Sequence, residues 1–197
     1  VVLDLRLVGR ETTAGWADAI AALVRRGLRA PVLAVIDGNA GLATALREMW
    51  PQIALQPSTV HKLRNLHAKA PVRLREEVSE DYRRMIYGAT REAVEKERVA
   101  FRKKWRLRCA AVATSLDEVG DELFTFLAFP VSQWKALRTT NALERINEEF
   151  RRRTKTQAML PSEHAVLLLL FGLLRTGQIR LRRLDGWREM PSSVTTT

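Results

Sequence analysis

The most restrictive feature of this sequence is a short apolar run that ends abruptly. Pro31 to Ile36 is apolar at every position, and Asp37-Gly38 follows at once. A run of that length bounded by turn residues predicts a strand buried on both faces in a parallel sheet. Parallel neighbours need crossover connections, and helical patterns stand on both sides of the run. Upstream, Thr12 and Thr13 can cap a helix whose Trp16, Ile20, Leu23 and Val24 fall at spacings of three and four, and Gly27 ends it. Downstream, a helix over about Leu42 to Met49 precedes Pro51 and a strand over Ile53 to Gln56. Alternation of Leu3, Asp4, Leu5, Arg6 and Leu7 within Val1 to Val8 predicts one more strand, wet on one face. Strand, helix, strand, helix, strand is α/β organisation.

From His61 the pattern is helical only. Segments His61 to Ala70 and Arg73 to Tyr87 end at Pro71 and Gly88, and Thr90 opens a long helix running through Trp105 and past Arg108. An acidic helix is predicted over Ser115 to Phe126. Thr139-Thr140-Asn141 then precedes a helix with Leu143, Ile146, Asn147 and Phe150 on one face, and Ser162 to Leu174 is apolar enough to be buried on most of its sides. The organisation read from this is an α/β core over residues 1–60, an all-helical insertion over 61–134, a second part of the core over 135–184, and a flexible Ser/Thr-rich tail over 185–197.

Charge separates these parts. The net charge is +11, yet residues 1–60 carry only +1, residues 61–110 carry +8, residues 111–144 carry −3 and residues 145–197 carry +5. So basic a balance points to a polyanionic partner, nucleic acid before an anionic membrane surface. The runs Lys62/Arg64, Arg102 to Arg106 and Arg151 to Lys155, read as lacking matching acids, suit phosphate contacts, a reading favoured over that of solvated helical faces. The single cysteine, Cys109, excludes an intrachain disulfide framework and suits a reducing cytoplasm. The longest apolar stretch, Ala165 to Leu174, falls short of the roughly 20 residues of a spanning helix, so no membrane role is expected. The start carries charges where a signal peptide would be apolar, and it lacks methionine, which leaves an alternative start or a missing upstream segment.

Few residues are candidates for chemistry. Asp37, at the carboxyl end of the predicted parallel strand, stands where α/β sheets bind ligands, although an Asp-Gly pair also simply makes turns. Glu144 is a second carboxylate, but Asn141-x-x-Glu144 also reads as a capping box. His61 opens the helical block as a ligand or a polar boundary residue, with no metal-ligand spacing to His67 or His164. Neither a phosphate-cradling Gly loop nor a Gly-x-Ser-x-Gly motif is present, which removes nucleotide hydrolysis and esterase chemistry.

Taken in order, Val35-Ile36-Asp37-Gly38 with Gly41-Leu42, Val60-His61-Lys62-Leu63-Arg64-Asn65, Ile86-Tyr87-Gly88-Ala89-Thr90-Arg91-Glu92, Arg138-Thr139-Thr140-Asn141-Ala142-Leu143-Glu144-Arg145 and Arg152-Arg153-Thr154-Lys155-Thr156 resemble the carboxyl-terminal catalytic portion of the mutator-type transposases of bacterial insertion sequences. The resemblance implies a ribonuclease H-like α/β core of the DDE type, interrupted by an all-helical insertion. In it Asp37 matches the second aspartate and Glu144 the glutamate, both as catalytic metal ligands, with His61 as an active-site or structural partner. It implies Mg²⁺ or Mn²⁺ in a two-ion site, which carboxylate oxygens suit. It also implies double-stranded DNA as partner, held by Lys62, Arg64, Arg151, Arg152, Arg153 and Lys155, and a homo-oligomer in the intact form. The family's first aspartate lies on an earlier strand, so it and the first strands of the sheet are expected to be absent here. Ser58 stands where the family often has a cysteine. This chain is accordingly expected to be a transposase fragment inactive alone, with a non-catalytic DNA-binding or regulatory remnant as the alternative.

Overall fold

A computed structural model describes residues 2–6, 11–155, 162–179 and 183–189. In chain order its elements are α1 (Thr13–Arg25), β1 (Leu33–Ile36), α2 (Ala40–Met49), β2 (Ala54–Pro57), α3 (Thr59–Lys69), α4 (Arg75–Ile86) and α5 (Arg91–Arg108). There follow α6 (Ala110–Val119), a 3₁₀ segment Gly120–Ala128, α7 (Val131–Leu137), α8 (Asn141–Thr154) and α9 (Glu163–Arg175), with short 3₁₀ turns at Val72–Leu74 and Trp187–Glu189. They form two compact units. The first comprises Val1–Val32, Asn39–Ile53 and Thr140–Arg183, the second Leu33–Gly38, Ala54–Thr139 and Leu184–Thr197.

In the first unit, local chemistry sets α1 and α2. Thr12 Oγ1 accepts from Gly15 N–H and Asn39 Oδ1 from Leu42 N–H, so each helix starts on a side-chain cap. Helix α1 ends in a Schellman turn: Leu28 N–H reaches Leu23 O while Gly27 takes φ +96°, a conformation a side chain would strain. The two helices meet closely at Gly41, where an added Cβ would lie 3.2 Å from Thr13 N. Residues 2–6 do not form the strand predicted over Val1 to Val8. Asp4 instead accepts from Leu5 N–H (3.0 Å) and from Arg6 Nε (2.6 Å), a local alternative to ladder bonding. Val1, Leu7 and Val8 lie outside the described residues. Helices α8 and α9 enclose a small core of Ile146, Phe150, Leu170, Leu173 and Ile179. The expectation that α9 is buried on most sides fails, because Leu168 and Phe171 are 62% and 58% exposed and one face alone meets α8.

In the second unit, β1 and β2 pair in parallel from Leu33↔Ala54 to Ile36↔Pro57. This two-stranded sheet does not bury β1 on both faces: only Ile36 is buried, while Leu33, Ala34 and Val35 are half-buried. The more deeply buried strand is β2, which carries Gln56. Its amide donates to Pro57 O (2.8 Å) and Leu123 O (2.9 Å), and its Oε1 accepts from Phe126 N–H (2.7 Å). Those bonds fasten the 3₁₀ segment to the sheet, where the sequence pattern predicts an α-helix over Ser115 to Phe126. Helix α6 stops at Val119 because Gly120 takes φ +59°, and the tighter turns after it carry Leu123, Phe124, Phe126 and Leu127 into the core.

All elements described between β2 and Thr139 are helical and share one apolar core that includes Leu66, Met85, Phe101, Trp105 and Phe126. Asp185–Glu189, read from sequence as the start of a flexible tail, packs on α7. Lys135 pairs with Asp185 (3.3 Å), and Ser132 Oγ donates to Glu189 (2.8 Å). Residues 190–197 lie outside the described residues. Among the described residues no helix is long and apolar enough to cross a membrane.

Tyr82 joins α4 to α3 by donating its hydroxyl to Thr59 O at 2.9 Å, and burial pushes its phenol well above the usual value near 10. The buried neutral phenol therefore contributes stability that is complete below pH 10 and is lost as pH rises from there through the raised value. Tyr82→Phe should cost about 1 kcal/mol near pH 7 through the lost hydrogen bond. It should also flatten the decline in stability expected from urea unfolding as pH rises above about 10. A variant that loses stability above pH 10 as steeply as wild type would contradict this placement of the phenol.

Candidate functional site

Asp37 follows the last residue of β1, exposed, in a turn that Gly38 permits with φ +90°. Because the strands are parallel and Ile36 pairs with Pro57, the chain leaves β2 at this same carboxyl edge and enters α3 there. The edge is tightly laced. Ser58 N–H donates to Ile36 O (2.7 Å), and both Thr59 N–H (2.8 Å) and Thr59 Oγ1 (2.9 Å) donate to Arg138 O. Ser58 and Thr59 are buried, and Ser58 Oγ has no partner among the described residues. His61 sits half-buried in the first turn of α3. Asp37 and His61 thus belong to one unit, on segments sharing one sheet edge. Glu144 belongs to the other unit, half-buried in the first turn of α8.

The capping-box reading of Glu144 does not hold. Thr140 is the N-cap of α8 without a side-chain cap bond, Asn141 is the first helical residue, and Leu143 takes the third position where a capping acid would stand. Asp37 and Glu144 each carry carboxylate oxygens, the donor type that hard cations take. Among the described residues no three His, Cys, Asp or Glu side chains gather as a metal-holding group.

The cations named from the sequence divide by environment. Lys62 is only 8% exposed. Its ammonium donates to Ser115 O and to Ser115 Oγ (3.1 Å), tying α3 to α6, and burial lowers its pKa. Arg64, two residues on, is exposed. On α8, Arg151, Arg152 and Lys155 are exposed, while half-buried Arg153 hydrogen-bonds Glu149, which also pairs with Arg152 (3.0 Å). The Arg153 hydrogen bond holds the Glu149 carboxyl below its ordinary range.

The third run, on α5, does have matching acids, and they come from other elements. Arg102 and Arg106 pair with Asp117 of α6 (2.7 and 3.3 Å), Lys104 with Glu77 and Asp81 of α4 (2.8 and 2.6 Å), and Arg108 with Glu77 (2.8 Å). Arg102, Lys104, Arg106 and Arg108 therefore hold helices together.

Arg138, in the Arg138-Thr139-Thr140-Asn141 motif, has no role that the local pattern assigns. It is 6% exposed, and its guanidinium carbon lies 4.6 Å from the Phe126 ring centre and 5.3 Å from those of Trp134 and Tyr87. The i,i+4 spacing of Trp134 and Arg138 on a helical segment was the available signal.

A family model described as "Transposase, Mutator family" matches residues 1–179. The transposase for insertion sequence element ISRM5 of Rhizobium meliloti (strain 1021) is 31% identical over 172 residues, which cover 87% of this chain and 43% of that protein. The transposase for insertion sequence element IST2 of Acidithiobacillus ferrooxidans is 31% identical over 172 residues, 87% of this chain and 58% of that protein. The transposase for insertion sequence element IS1081 of Mycobacterium tuberculosis (strain ATCC 25618 / H37Rv) is 28% identical over 193 residues, 95% of this chain and 44% of that protein. The chain spans about half the length of the curated relatives it matches.

Proposed function

Because the chain belongs to the Mutator family of transposases, we propose that it carries part of a ribonuclease H-like DDE catalytic domain acting on double-stranded DNA. Asp37 and Glu144 are its metal-ligating carboxylates. The observation that carries this reading is Asp37 itself, an exposed carboxylate immediately beyond a parallel strand, at the edge where such sheets place their ligands. A divalent cation such as Mg²⁺ or Mn²⁺, when bound, would activate the attacking oxygen and stabilise the leaving oxygen of phosphodiester cleavage and strand transfer. The strand end fixes the Asp37 backbone, and the first turn of a 14-residue helix fixes that of Glu144. His61, at the start of α3, is a positioning partner on the Asp37 edge.

Exposed Arg64, Arg151, Arg152 and Lys155 hold DNA phosphates as point charges or forks, with half-buried Arg153 orienting the α8 run through Glu149. Lys62 acts as a strut between α3 and α6, since its donors are already directed at Ser115.

Salt titration of duplex binding tests this division. Affinity should fall linearly in log–log form, and Arg151→Ala and Arg152→Ala should each reduce the slope by about 0.9. Lys62→Met should leave the slope unchanged while lowering the thermal midpoint, because Ser115 O loses its donor. Salt-independent binding would overturn the DNA reading, and a Lys62→Met slope reduced as much as that of Arg151→Ala would overturn the strut.

A further inference from the structure

The described residues bury three charged side chains, Lys62, Asp81 and Arg138. Lys62 donates to Ser115, and Asp81 accepts from Trp105 Nε1 (3.1 Å) and pairs with Lys104 (2.6 Å). Arg138 alone of the three has no side-chain hydrogen bond and no ion pair among the described residues, and its Nε is buried without a partner. Burying an unpaired cation is costly, and aromatic rings offset only part of that cost.

We propose that Arg138 is a phosphate clamp for duplex DNA, set at the sheet edge that carries Asp37. The inference rests on the reading that this chain handles DNA. The rings of Phe126, Trp134 and Tyr87 crowd the guanidinium carbon at 4.6 to 5.3 Å. They hold the group in place, and among the described residues its Nε–H has no hydrogen-bond acceptor. An acceptor for the guanidinium fork would approach near its plane, and the paired oxygens of a phosphodiester match its bidentate geometry. A chain of net charge +11 favours a polyanion over an isolated protein carboxylate. The residue is also placed where a backbone phosphate would matter. Its carbonyl accepts both donors of Thr59, whose neighbour Ser58 is bonded to Ile36 O, one residue before Asp37. Ser58 Oγ, buried and unpartnered beside those bonds, is a second unused donor at this edge. Burial lowers the pKa of Arg138, in line with a cation held ready without its counter-charge.

The test compares wild type with Arg138→Met and Arg138→Gln. A fluorescent duplex is titrated by anisotropy across a salt series, and each protein is melted without DNA. A clamp predicts affinity lower by roughly tenfold at fixed salt and a salt slope smaller by about 0.9. The melting temperature of the free protein should be unchanged or higher, because an unpaired buried charge has been removed. An unchanged slope with a lower melting temperature would make Arg138 a structural plug and overturn the proposal. Should both variants fail to fold, the wild-type Arg138 Nε–H resonance decides: a shift on adding duplex supports the clamp, and no shift overturns it. Wild-type protein without salt-dependent binding would overturn the DNA reading and the clamp together. Wild-type binding with indistinguishable Arg138 variants would overturn the clamp alone.

Discussion

Asp37→Asn, placed in a transposase that carries this sequence, should reduce metal-dependent cleavage and strand transfer by on the order of a hundredfold to a thousandfold, the few kcal/mol expected of lost metal-assisted charge stabilisation. Glu144→Gln should do the same. Both substitutions are near-isosteric and remove a charge without removing the hydrogen-bonding side chain. Asp37 is exposed in a turn that Gly38 permits with its positive φ, so the variant should still fold. Duplex affinity should be retained or slightly raised, since a negative charge beside DNA has been removed. Chelation of the divalent cation should reproduce the loss in wild type and add nothing to the variants. The assay is joining of a labelled element end to plasmid DNA, with anisotropy on the same duplex as the binding control. Full joining activity in either variant would remove that residue from the metal site.

What the sequence revealed of the fold was what short stretches determine. Thr12, Asn39 and Gly27 each act on a helix end within three residues, so α1 and α2 could be placed from pattern alone. The turn at Asp37-Gly38 was equally local, and it is the part of the candidate site that was legible. The rest turned on partners distant in sequence. The basic face of α5 looked unmatched because its acids, Glu77, Asp81 and Asp117, lie on α4 and α6. Lys62 looked like a phosphate contact because Ser115 is 53 positions away. Residues 2–6 had the alternation of a strand, but alternation does not supply a neighbouring ladder, and Asp4 took up local bonds instead. Arg138 was invisible as a site because two walls of its cage, Tyr87 and Phe126, come from other segments.

The same dependence on distant partners makes Trp105→Ala the largest expected loss of stability in this chain. Trp105 is fully buried at the meeting of α4, α5 and α6, its ring centre 5.9 Å from that of Phe101, and Phe101 in turn meets Tyr82 edge-on at 6.4 Å. Its Nε1 donates to Asp81. Truncation to alanine removes the ring and leaves a cavity, a change that costs about 3–5 kcal/mol. The lost bond to a charged acceptor adds to this at the low end of its usual range, because Lys104 still neutralises Asp81. A domain stable by only about 5–15 kcal/mol would lose most of its margin. Trp105→Phe separates the two contributions: it keeps most of the ring volume and loses the N–H, so it should cost about 1–3 kcal/mol, chiefly from Asp81. Urea unfolding followed by circular dichroism, read from this all-helical part, is the measurement. Wild type and Trp105→Phe should both unfold cooperatively, with Trp105→Ala unfolded or close to it without denaturant. A Trp105→Ala midpoint within experimental error of the Trp105→Phe midpoint would mean that the indole is not at the centre of this core. The ion pairs of α5 with Glu77, Asp81 and Asp117 would then have to hold the three helices together, a role that partly exposed pairs worth about 0–1 kcal/mol each are too weak to fill.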